Sequence, residues 1–174
     1  MDEAILKDFI LTIDQGSQST RVSLIDKTGN IAYRVKRDIQ PYFSDNAGWA
    51  EQRAEYYWEQ IAEACQSLWK KIPAQDYKIR AVSLTSQRGT VVNMDSCGHT
   101  LRPAITWMDQ RKAKFKKPIR GVWGGLFRLI GATKSVEYFR SAAQANWIAQ
   151  NEPEIWRKTY KFLLLSGYLN FKLT

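Results

Sequence analysis

Short runs of apolar, often β-branched residues alternate with polar turn residues over the first forty positions of the chain. Residues 9–13 have the pattern of a buried strand, residues 22–25 form a second apolar run, and residues 31–39 alternate apolar and polar side chains. Polar segments at 14–20 and 26–30, each containing glycine, separate these runs. The pattern predicts three strands in a meander.

The apolar pattern changes to a period of 3.6 residues between Glu51 and Pro73. One stripe has the spacings of three and four that a single buried helix face requires, and it consists of Tyr57, Ile61, Ala64 or Cys65, Leu68 and Ile72. Pro73 ends the helix. Residues 79–85 then form another strand, so strand, helix and strand together predict a crossover onto a mixed sheet, with helix and sheet packed in layers.

Two more extended segments follow, at residues 90–94 and 104–107, with a turn at 95–98 between them. Beyond Gln110 the pattern weakens, because glycines interrupt an aromatic-rich stretch.

The carboxyl-terminal third contains two helical patterns and an apolar end. Residues 142–150 predict a helix with Ser141 as its N-cap, and Pro153 can open another short helix. Residues 162–174 are apolar enough to belong to a core. Because free termini are normally polar and frayed, we expect the chain to be part of a larger protein.

The composition is that of one globular domain. The 174 residues include 44% apolar and 25% charged residues, which excludes a disordered or low-complexity chain. We divide the chain into an N-terminal tail at 1–8 and a domain at 9–174, with neither a signal peptide nor an apolar run of about 20 residues that could span a membrane. Cys65, Cys97 and the single histidine, His99, cannot supply four zinc ligands, and two cysteines fit a reducing cytoplasm.

The net charge of +9 attracts phosphates of any kind without naming a partner. A basic run with an aromatic inside it could follow a nucleic-acid backbone, although a solvated helix face is the favoured explanation: Lys112, Lys114, Phe115, Lys116, Lys117 and Arg120. No zinc-finger spacing, RNA-binding sheet signature or helix-turn-helix pattern accompanies it. We therefore expect neither a nucleic acid nor a membrane as partner.

The polar segment after the first strand is the strongest candidate for chemistry. Asp14 follows a buried strand, where a carboxylate can hold a hydrated Mg²⁺ ion. Gly16 allows close approach of the backbone, and Ser17, Ser19 and Thr20 add hydroxyl and amide groups suited to a phosphate. The competing interpretation is an ordinary β-hairpin turn, because the same residue types favour turns for local reasons.

Two later segments carry candidate substrate-binding residues. Gln87 and Arg88 follow the fourth strand, at the sheet end where open sheets bind ligands. Trp107 and Asp109 put an aromatic wall and a carboxylate after another strand, which suits a polyol whose C–H face packs on a ring. A surface arginine and a core tryptophan are the alternatives.

Taken in order, these segments resemble the amino-terminal half-domain of the FGGY carbohydrate kinases, which include glycerol kinase, xylulokinase and gluconokinase. The resemblance is carried by DQGSQSTR at 14–21, GWAE at 48–51, SQR at 86–88 and PAITWMDQR at 103–111, and it continues through residues 147–154 to the segment 168–174. It covers nearly the whole chain. Each motif alone is weak, and their shared order makes the set specific.

The resemblance implies an α/β fold of the actin-like, ribonuclease-H-like type, a mixed sheet flanked by helices, forming an incomplete first domain of a two-domain kinase. It also implies transfer of the ATP γ-phosphoryl to a sugar or polyol hydroxyl, with ATP and Mg²⁺ as cofactors, and a homo-oligomeric full-length protein. By the same resemblance Asp14 contacts Mg²⁺, while the phosphate-binding residues are Asp14, Gly16, Ser17, Gln18, Ser19 and Arg21. The implied substrate-binding residues are Gln87, Arg88, Trp107 and Asp109.

The chain departs from the family pattern in two ways. No residue matches the catalytic aspartate that accepts the proton of the attacking hydroxyl, so we assign no catalytic residue and expect the chain alone to be inactive. Gly89 stands where glycerol kinases carry Glu, and Gln87-Arg88 stands where xylulokinases carry Met-His. The resemblance thus leaves the identity of the sugar or polyol open.

Two other classes of function compete with a kinase. A basic nucleic-acid-binding module, or a nuclease of ribonuclease-H-like fold, would use the positive charge; a nuclease also needs clustered carboxylates, for which only Asp14 and Asp109 offer themselves. A noncatalytic interaction domain is the third class.

Overall fold

The computed structural model describes residues 7–73, 77–115 and 119–174, which form two sheets and a set of helices. Its strands are β1 (Lys7–Gln15), β2 (Ser19–Asp26), β3 (Ile31–Asp38), β4 (Glu51–Gln52), β5 (Tyr77–Ser86), β6 (Val91–Met94), β7 (Ala104–Ile105) and β8 (Lys161–Leu164). Its helices are α1 (Ala54–Trp69), α2 (Gly121–Leu129), α3 (Thr133–Ala142), α4 (Gln144–Asn151), α5 (Pro153–Lys158) and α6 (Leu165–Leu173).

The first sheet has the strand order β3-β2-β1-β5. β1 pairs antiparallel with β2, β2 pairs antiparallel with β3, and β1 pairs parallel with β5. The predicted meander and the predicted crossover onto a mixed sheet are both confirmed. Because β1 and β5 are parallel, the loops after Gln15 and Ser86 leave the same edge of the sheet, and the Gln87 amide donates to the Gln15 carbonyl at 2.9 Å.

Helix α1 buries the stripe that the sequence predicts. Tyr57, Ala64 and Leu68 are fully buried and Ile61 and Ile72 nearly so, against the apolar side chains of β1, β2 and β3. Each large apolar side chain buried in this way contributes about 1.5–3 kcal/mol. The prediction that the helix begins at Glu51 is wrong. Glu51 and Gln52 instead pair with β7, and the helix starts only at Ala54.

The second sheet is small and has the order β4-β7-β6-β8. The extended segment predicted at 104–107 is shorter in the structure, because Thr106 leaves β7 and its amide donates to the Ala50 carbonyl at 2.9 Å. β6 pairs antiparallel with β8, so the carboxyl-terminal part of the chain adds an edge strand to this sheet.

The region after residue 112 contains helices that the sequence pattern did not predict, α2 and α3. The predicted helix at 142–150 exists as α4, but it begins at Gln144, and Ser141 is not its N-cap. The Ser141 hydroxyl instead donates to the Tyr138 carbonyl at 2.8 Å within α3. Pro153 opens α5 from the first turn, as predicted. Lys116 and Lys117 of the basic run lie outside the described residues.

The two ends of the chain differ in part from expectation. Lys7 and Asp8, assigned to a tail, belong to β1, and residues 1–6 lie outside the described residues. In the apolar carboxyl-terminal segment, Leu165, Tyr168 and Leu169 are core residues, whereas Phe171 is exposed. Among the helices described, none combines the length and apolar character that crossing a membrane requires.

Candidate functional site

The polar segment after β1 forms a tight hairpin loop into β2. The Gly16 amide donates to the Ser19 carbonyl at 3.0 Å, and a Cβ on Gly16 would lie only 3.2 Å from that oxygen. The loop therefore depends on a glycine at its start. Asp14 and Arg21 face each other in the strand register, and the Arg21 guanidinium donates to one carboxylate oxygen of Asp14 at 2.9 Å.

Two buried polar residues, Gln15 and Thr20, hold this loop in place through hydrogen bonds. Gln15 and Thr20 are fully buried, and the Thr20 hydroxyl donates to the Gln15 side-chain oxygen at 2.6 Å. The Gln15 amide nitrogen donates in turn to the Gly16 carbonyl at 3.0 Å. Satisfied buried polar groups of this kind rigidify a segment, since breaking one hydrogen bond leaves a buried group unpaired.

A chain of side-chain hydrogen bonds joins the loop to the two later candidate segments. The Trp107 indole donates to the Ser17 hydroxyl at 2.8 Å, and Ser17 donates to the Gln87 side-chain oxygen at 2.6 Å. The Gln87 amide nitrogen donates to the Tyr57 hydroxyl at 3.0 Å. Burial raises the pKa of Tyr57 to about 12, against the lowering effect of the Gln87 hydrogen bond. The structure thus brings Ser17, Gln87 and Trp107 together.

An open cleft of about 560 Å³ lies on the solvent side of this chain. Five of the six residues that the sequence proposes for phosphate line it, Gly16, Ser17, Gln18, Ser19 and Arg21, and so does Trp107. Tyr42 and Met108 complete the apolar part of the wall, and Lys36 lies at its edge in an ion pair with Asp38 at 2.7 Å. The volume lies within the usual range for small-molecule sites.

Gly89 lies against Trp107, and Arg88 precedes it in the chain. Gly89 has a φ of +74°, and a Cβ there would lie 3.1 Å from the Trp107 Cβ, so a larger residue would be strained and crowded. Arg88 is exposed and makes no hydrogen bond or ion pair within the described part of the chain. Its guanidinium is therefore available to a ligand.

Asp109 lies in a buried ionic cluster rather than on the cleft wall. One of its oxygens accepts from the Ala50 amide at 2.8 Å and both accept from Arg111 Nε at 2.9 Å. Arg111 also donates to Glu51 at 2.7 Å. The substrate-binding role of Asp109 stays a prediction, and both of its carboxylate oxygens already accept hydrogen bonds from protein groups.

The remainder of this cluster was not found from the sequence. The Arg111 guanidinium contacts two indoles, 4.1 Å from the Trp49 ring centre and 4.5 Å from that of Trp147, and the two rings meet edge to face. Burial lowers the pKa of Arg111, but its hydrogen bonds to Asp109 and Glu51 more than offset this, so the net shift is upward. Arg102, whose pKa burial lowers, pairs with Glu51 and, at 2.9 Å, with Glu152. No local spacing signals a cluster drawn from four separate segments.

The donor set of the loop fits a magnesium–phosphate group. Asp14 is about half exposed, and its second oxygen receives no hydrogen bond from any described residue. Mg²⁺ takes one or two carboxylates and keeps its waters and phosphate oxygens, so one free carboxylate oxygen beside hydroxyl and amide donors suits it.

Comparison with known proteins identifies the class. The family model for the FGGY family of carbohydrate kinases, N-terminal domain, matches residues 9–174. The chain is 27% identical over 170 residues to a xylulose kinase of Staphylococcus epidermidis and 29% identical over 173 residues to a glycerol kinase of Rhodopseudomonas palustris. These alignments cover 98% and 95% of the chain but 33% and 34% of the relatives.

Solved structures share the fold. A gluconate kinase from Lactobacillus acidophilus superposes with a TM-score of 0.71 at 20% identity, over 95% of this chain and 33% of that one. The Plasmodium falciparum glycerol kinase with ADP superposes with a TM-score of 0.70 at 24% identity, over 99% and 35%. The chain belongs to the FGGY family of carbohydrate kinases, as an N-terminal domain, and the predicted actin-like fold is confirmed. It spans about a third of the length of the relatives it matches.

Proposed function

We propose that this chain supplies the phosphate-binding loop and part of the substrate pocket of a kinase that transfers the ATP γ-phosphoryl to a sugar or polyol hydroxyl. The observation that supports it best is the single cleft lined by both the loop after β1 and Trp107. Phosphoryl transfer depends mainly on positioning and charge stabilisation, which such a cleft can supply.

On the phosphate side, each residue has a distinct task. The amides of Ser17 and Gln18 and the Ser19 hydroxyl donate to terminal phosphate oxygens, since the Gly16 amide and the Ser17 hydroxyl already donate to Ser19 and Gln87. Asp14 holds the hydrated Mg²⁺ through its free oxygen, while Arg21 fixes the carboxylate through the other. When bound, Mg²⁺ neutralises charge on the phosphate oxygens. Gln15 and Thr20 keep the loop in place without touching the ligand.

On the acceptor side, Trp107 offers an apolar ring face and Arg88 an unpaired guanidinium. Gln87 orients Ser17 and thereby connects the two halves of the cleft. The relatives' names suggest a ketose such as xylulose, glycerol or a sugar acid such as gluconate as the acceptor. A guanidinium binds hydroxyl and carboxylate oxygens alike, so it accommodates all three.

The general base is not assigned to any residue of the cleft. The one carboxylate among the cleft-lining residues, Asp38, is paired with Lys36, and Asp109 is engaged by Arg111. We therefore place the base outside these 174 residues and expect the chain alone to bind ligand without turnover. The cytoplasm as compartment and a homo-oligomeric full-length protein are further parts of the proposal, supported by the resemblance alone.

A nuclease is the less favoured alternative. Within the described ranges no group of three potential metal-ligating side chains includes Asp14 or Asp109, and each of these two is paired with an arginine. Two-metal nucleases need several carboxylates around one pair of ions.

The test is a phosphorylation assay on the product of the complete open reading frame that encodes this chain. Xylulose, glycerol and gluconate are offered with Mg·ATP, and ADP release is coupled to a spectroscopic readout. We expect turnover with one class of acceptor, a loss of about 100-fold or more in kcat/KM for Asp14→Asn, and near-normal values for Asp8→Asn, whose exposed carboxylate pairs with Arg80 outside the cleft. Absence of turnover with every polyol, or full activity of Asp14→Asn, would contradict the proposal.

A further inference from the structure

The hairpin turn between β6 and Thr100 brings three different ligating side chains to one side. The Asp95 amide donates to the His99 carbonyl at 2.9 Å, and Met94 forms a bridge with Thr100, so the turn is closed at its base. Gly98, with a φ of +86°, allows the chain to reverse. Asp95, Cys97 and His99 alternate along this short loop, and their side chains converge.

The Asp95 carboxylate is held in position by its own loop. Its Oδ1 accepts from the amides of Cys97 and His99, each at 2.9 Å. The His99 amide hydrogen bond contributes most to the lowered pKa of Asp95; burial opposes it, and the Cys97 amide hydrogen bond adds to the lowering. Its Oδ2 points instead toward the His99 ring, 3.5 Å from Nδ1. One carboxylate oxygen is thus left for a further ligand.

One oxygen, one sulfur and one nitrogen atom of this turn lie within 4.8 Å of one another, a group of three found nowhere else in the described ranges. Two ligands on tetrahedral Zn²⁺, at bond lengths of about 2.0–2.1 Å, are separated by about 3.3–3.4 Å, close to the 3.5 Å between Asp95 Oδ2 and His99 Nδ1. The sulfur of Cys97, an exposed residue, lies within 4.8 Å of both atoms.

We propose that Asp95, Cys97 and His99 bind a divalent transition-metal ion of the Zn²⁺ type, with the fourth coordination position open to solvent. Thiolate and imidazole ligands select borderline and soft metals, whereas Mg²⁺ and Ca²⁺ require oxygen ligands. The site therefore differs in kind from a magnesium–phosphate site. It shares no residue with the cleft lined by the loop after β1, and the inference does not depend on the kinase proposal.

The position of the turn gives the ion a structural consequence. A Cβ on Gly98 would lie 2.8 Å from the Phe171 ring, so the turn packs closely against α6. An ion bound across the loop would hold this contact in place. Binding replaces the Cys97 S–H bond with a sulfur–metal bond and releases the proton to solvent, so affinity rises with pH.

The test is a Co²⁺ titration of the 174-residue chain, reduced and carrying no histidine tag. We expect one Co²⁺ per chain with a thiolate-to-cobalt charge-transfer band, displaced by Zn²⁺ and unaffected by excess Mg²⁺. The band should vanish in Cys97→Ser, and Co²⁺ affinity should fall by about tenfold or more in His99→Gln. The matched control is Cys65→Ser, which removes the other, half-buried thiol and should change nothing.

A second readout is independent of the band. Because His99 is the single histidine, its imidazole NMR signals are unambiguous and should shift on addition of one equivalent of Zn²⁺. Absence of a charge-transfer band, loss of the band in Cys65→Ser, or an unmoved His99 signal would each overturn the proposal.

Discussion

Replacement of Arg111 by Met tests whether the buried ionic cluster holds the Trp107 segment in place. The Arg111 side chain is 5% exposed and pairs with Asp109 and Glu51, whose side chains are 2% and 8% exposed. The cluster contains three carboxylates, on Glu51, Asp109 and Glu152, and two guanidinium groups. Met fills a similar volume but leaves Asp109 without a cationic partner and Glu51 and Glu152 with Arg102 alone.

The expected loss in the free energy of unfolding is about 3–5 kcal/mol, the usual cost of removing one partner of a buried pair. Loss of the cation–π contacts with Trp49 and Trp147 lowers the free energy of unfolding further. With a typical urea dependence of about 2–3 kcal/mol per M, the midpoint should fall by roughly 1–2.5 M. Arg111→Lys keeps the charge but not the planar fork, so it should recover only part of the loss.

The assay is urea unfolding followed by far-ultraviolet circular dichroism, with Arg21→Met as the matched control. Arg21 also pairs with an aspartate at 2.9 Å, but both side chains are more than 40% exposed. An exposed pair contributes about 0–1 kcal/mol, so the control should unfold close to wild type. If Arg111→Met lost no more stability than Arg21→Met, the cluster would not carry the role assigned to it.

Substitutions at two further positions, Gly89 and Tyr57, test contacts next to the cleft. Gly89→Ala and Gly29→Ala impose similar backbone strain, of about 1 kcal/mol, at φ values of +74° and +86°, but only Gly89 faces Trp107. Urea unfolding should therefore show a larger loss in the free energy of unfolding for Gly89→Ala. Equal losses would show that the contact with Trp107 does not contribute to stability. For Tyr57, the pKa raised to about 12 in the folded state means that its contribution to stability is complete below about pH 10 and is lost as the pH rises toward 12. The drop in unfolding free energy between about pH 9 and about pH 11 should therefore be smaller in Tyr57→Phe, with the remainder due in part to Tyr168, and an unchanged drop would contradict the assignment.

Local patterns predicted the elements whose burial is regular. The stripe from Tyr57 to Ile72 identified α1 because one face of it meets the sheet at every turn. Its start was placed too early because Glu51 and Gln52 look helical locally, yet they pair with β7 about fifty residues later. Tertiary contacts of that range leave no trace in a window of ten residues.

The candidate site likewise contains parts that local patterns predict and parts that depend on contacts between distant segments. Sequence reasoning found the loop from Asp14 to Arg21 and the segment at Trp107, since turn chemistry and strand ends are local features. It could not find the contacts of Arg111 with Trp49 and Trp147, because the three residues come from three distant segments. It counted Cys65, Cys97 and His99 as too few for a four-ligand zinc site and did not consider Asp95, whose side chain lies next to those of Cys97 and His99.

The central claim is that the loop between β1 and β2 receives the terminal phosphates of a nucleotide. The most direct measurement is a backbone amide NMR titration of the 174-residue chain with Mg·ADP and Mg·ATP, repeated with Asp14→Asn. We expect the largest shifts at the amides of Gly16 to Ser19 and at the Trp107 indole, with about tenfold or more weaker binding in Asp14→Asn. Shifts confined to other parts of the chain, or saturation that is indifferent to Mg²⁺ and to Asp14→Asn, would contradict the account.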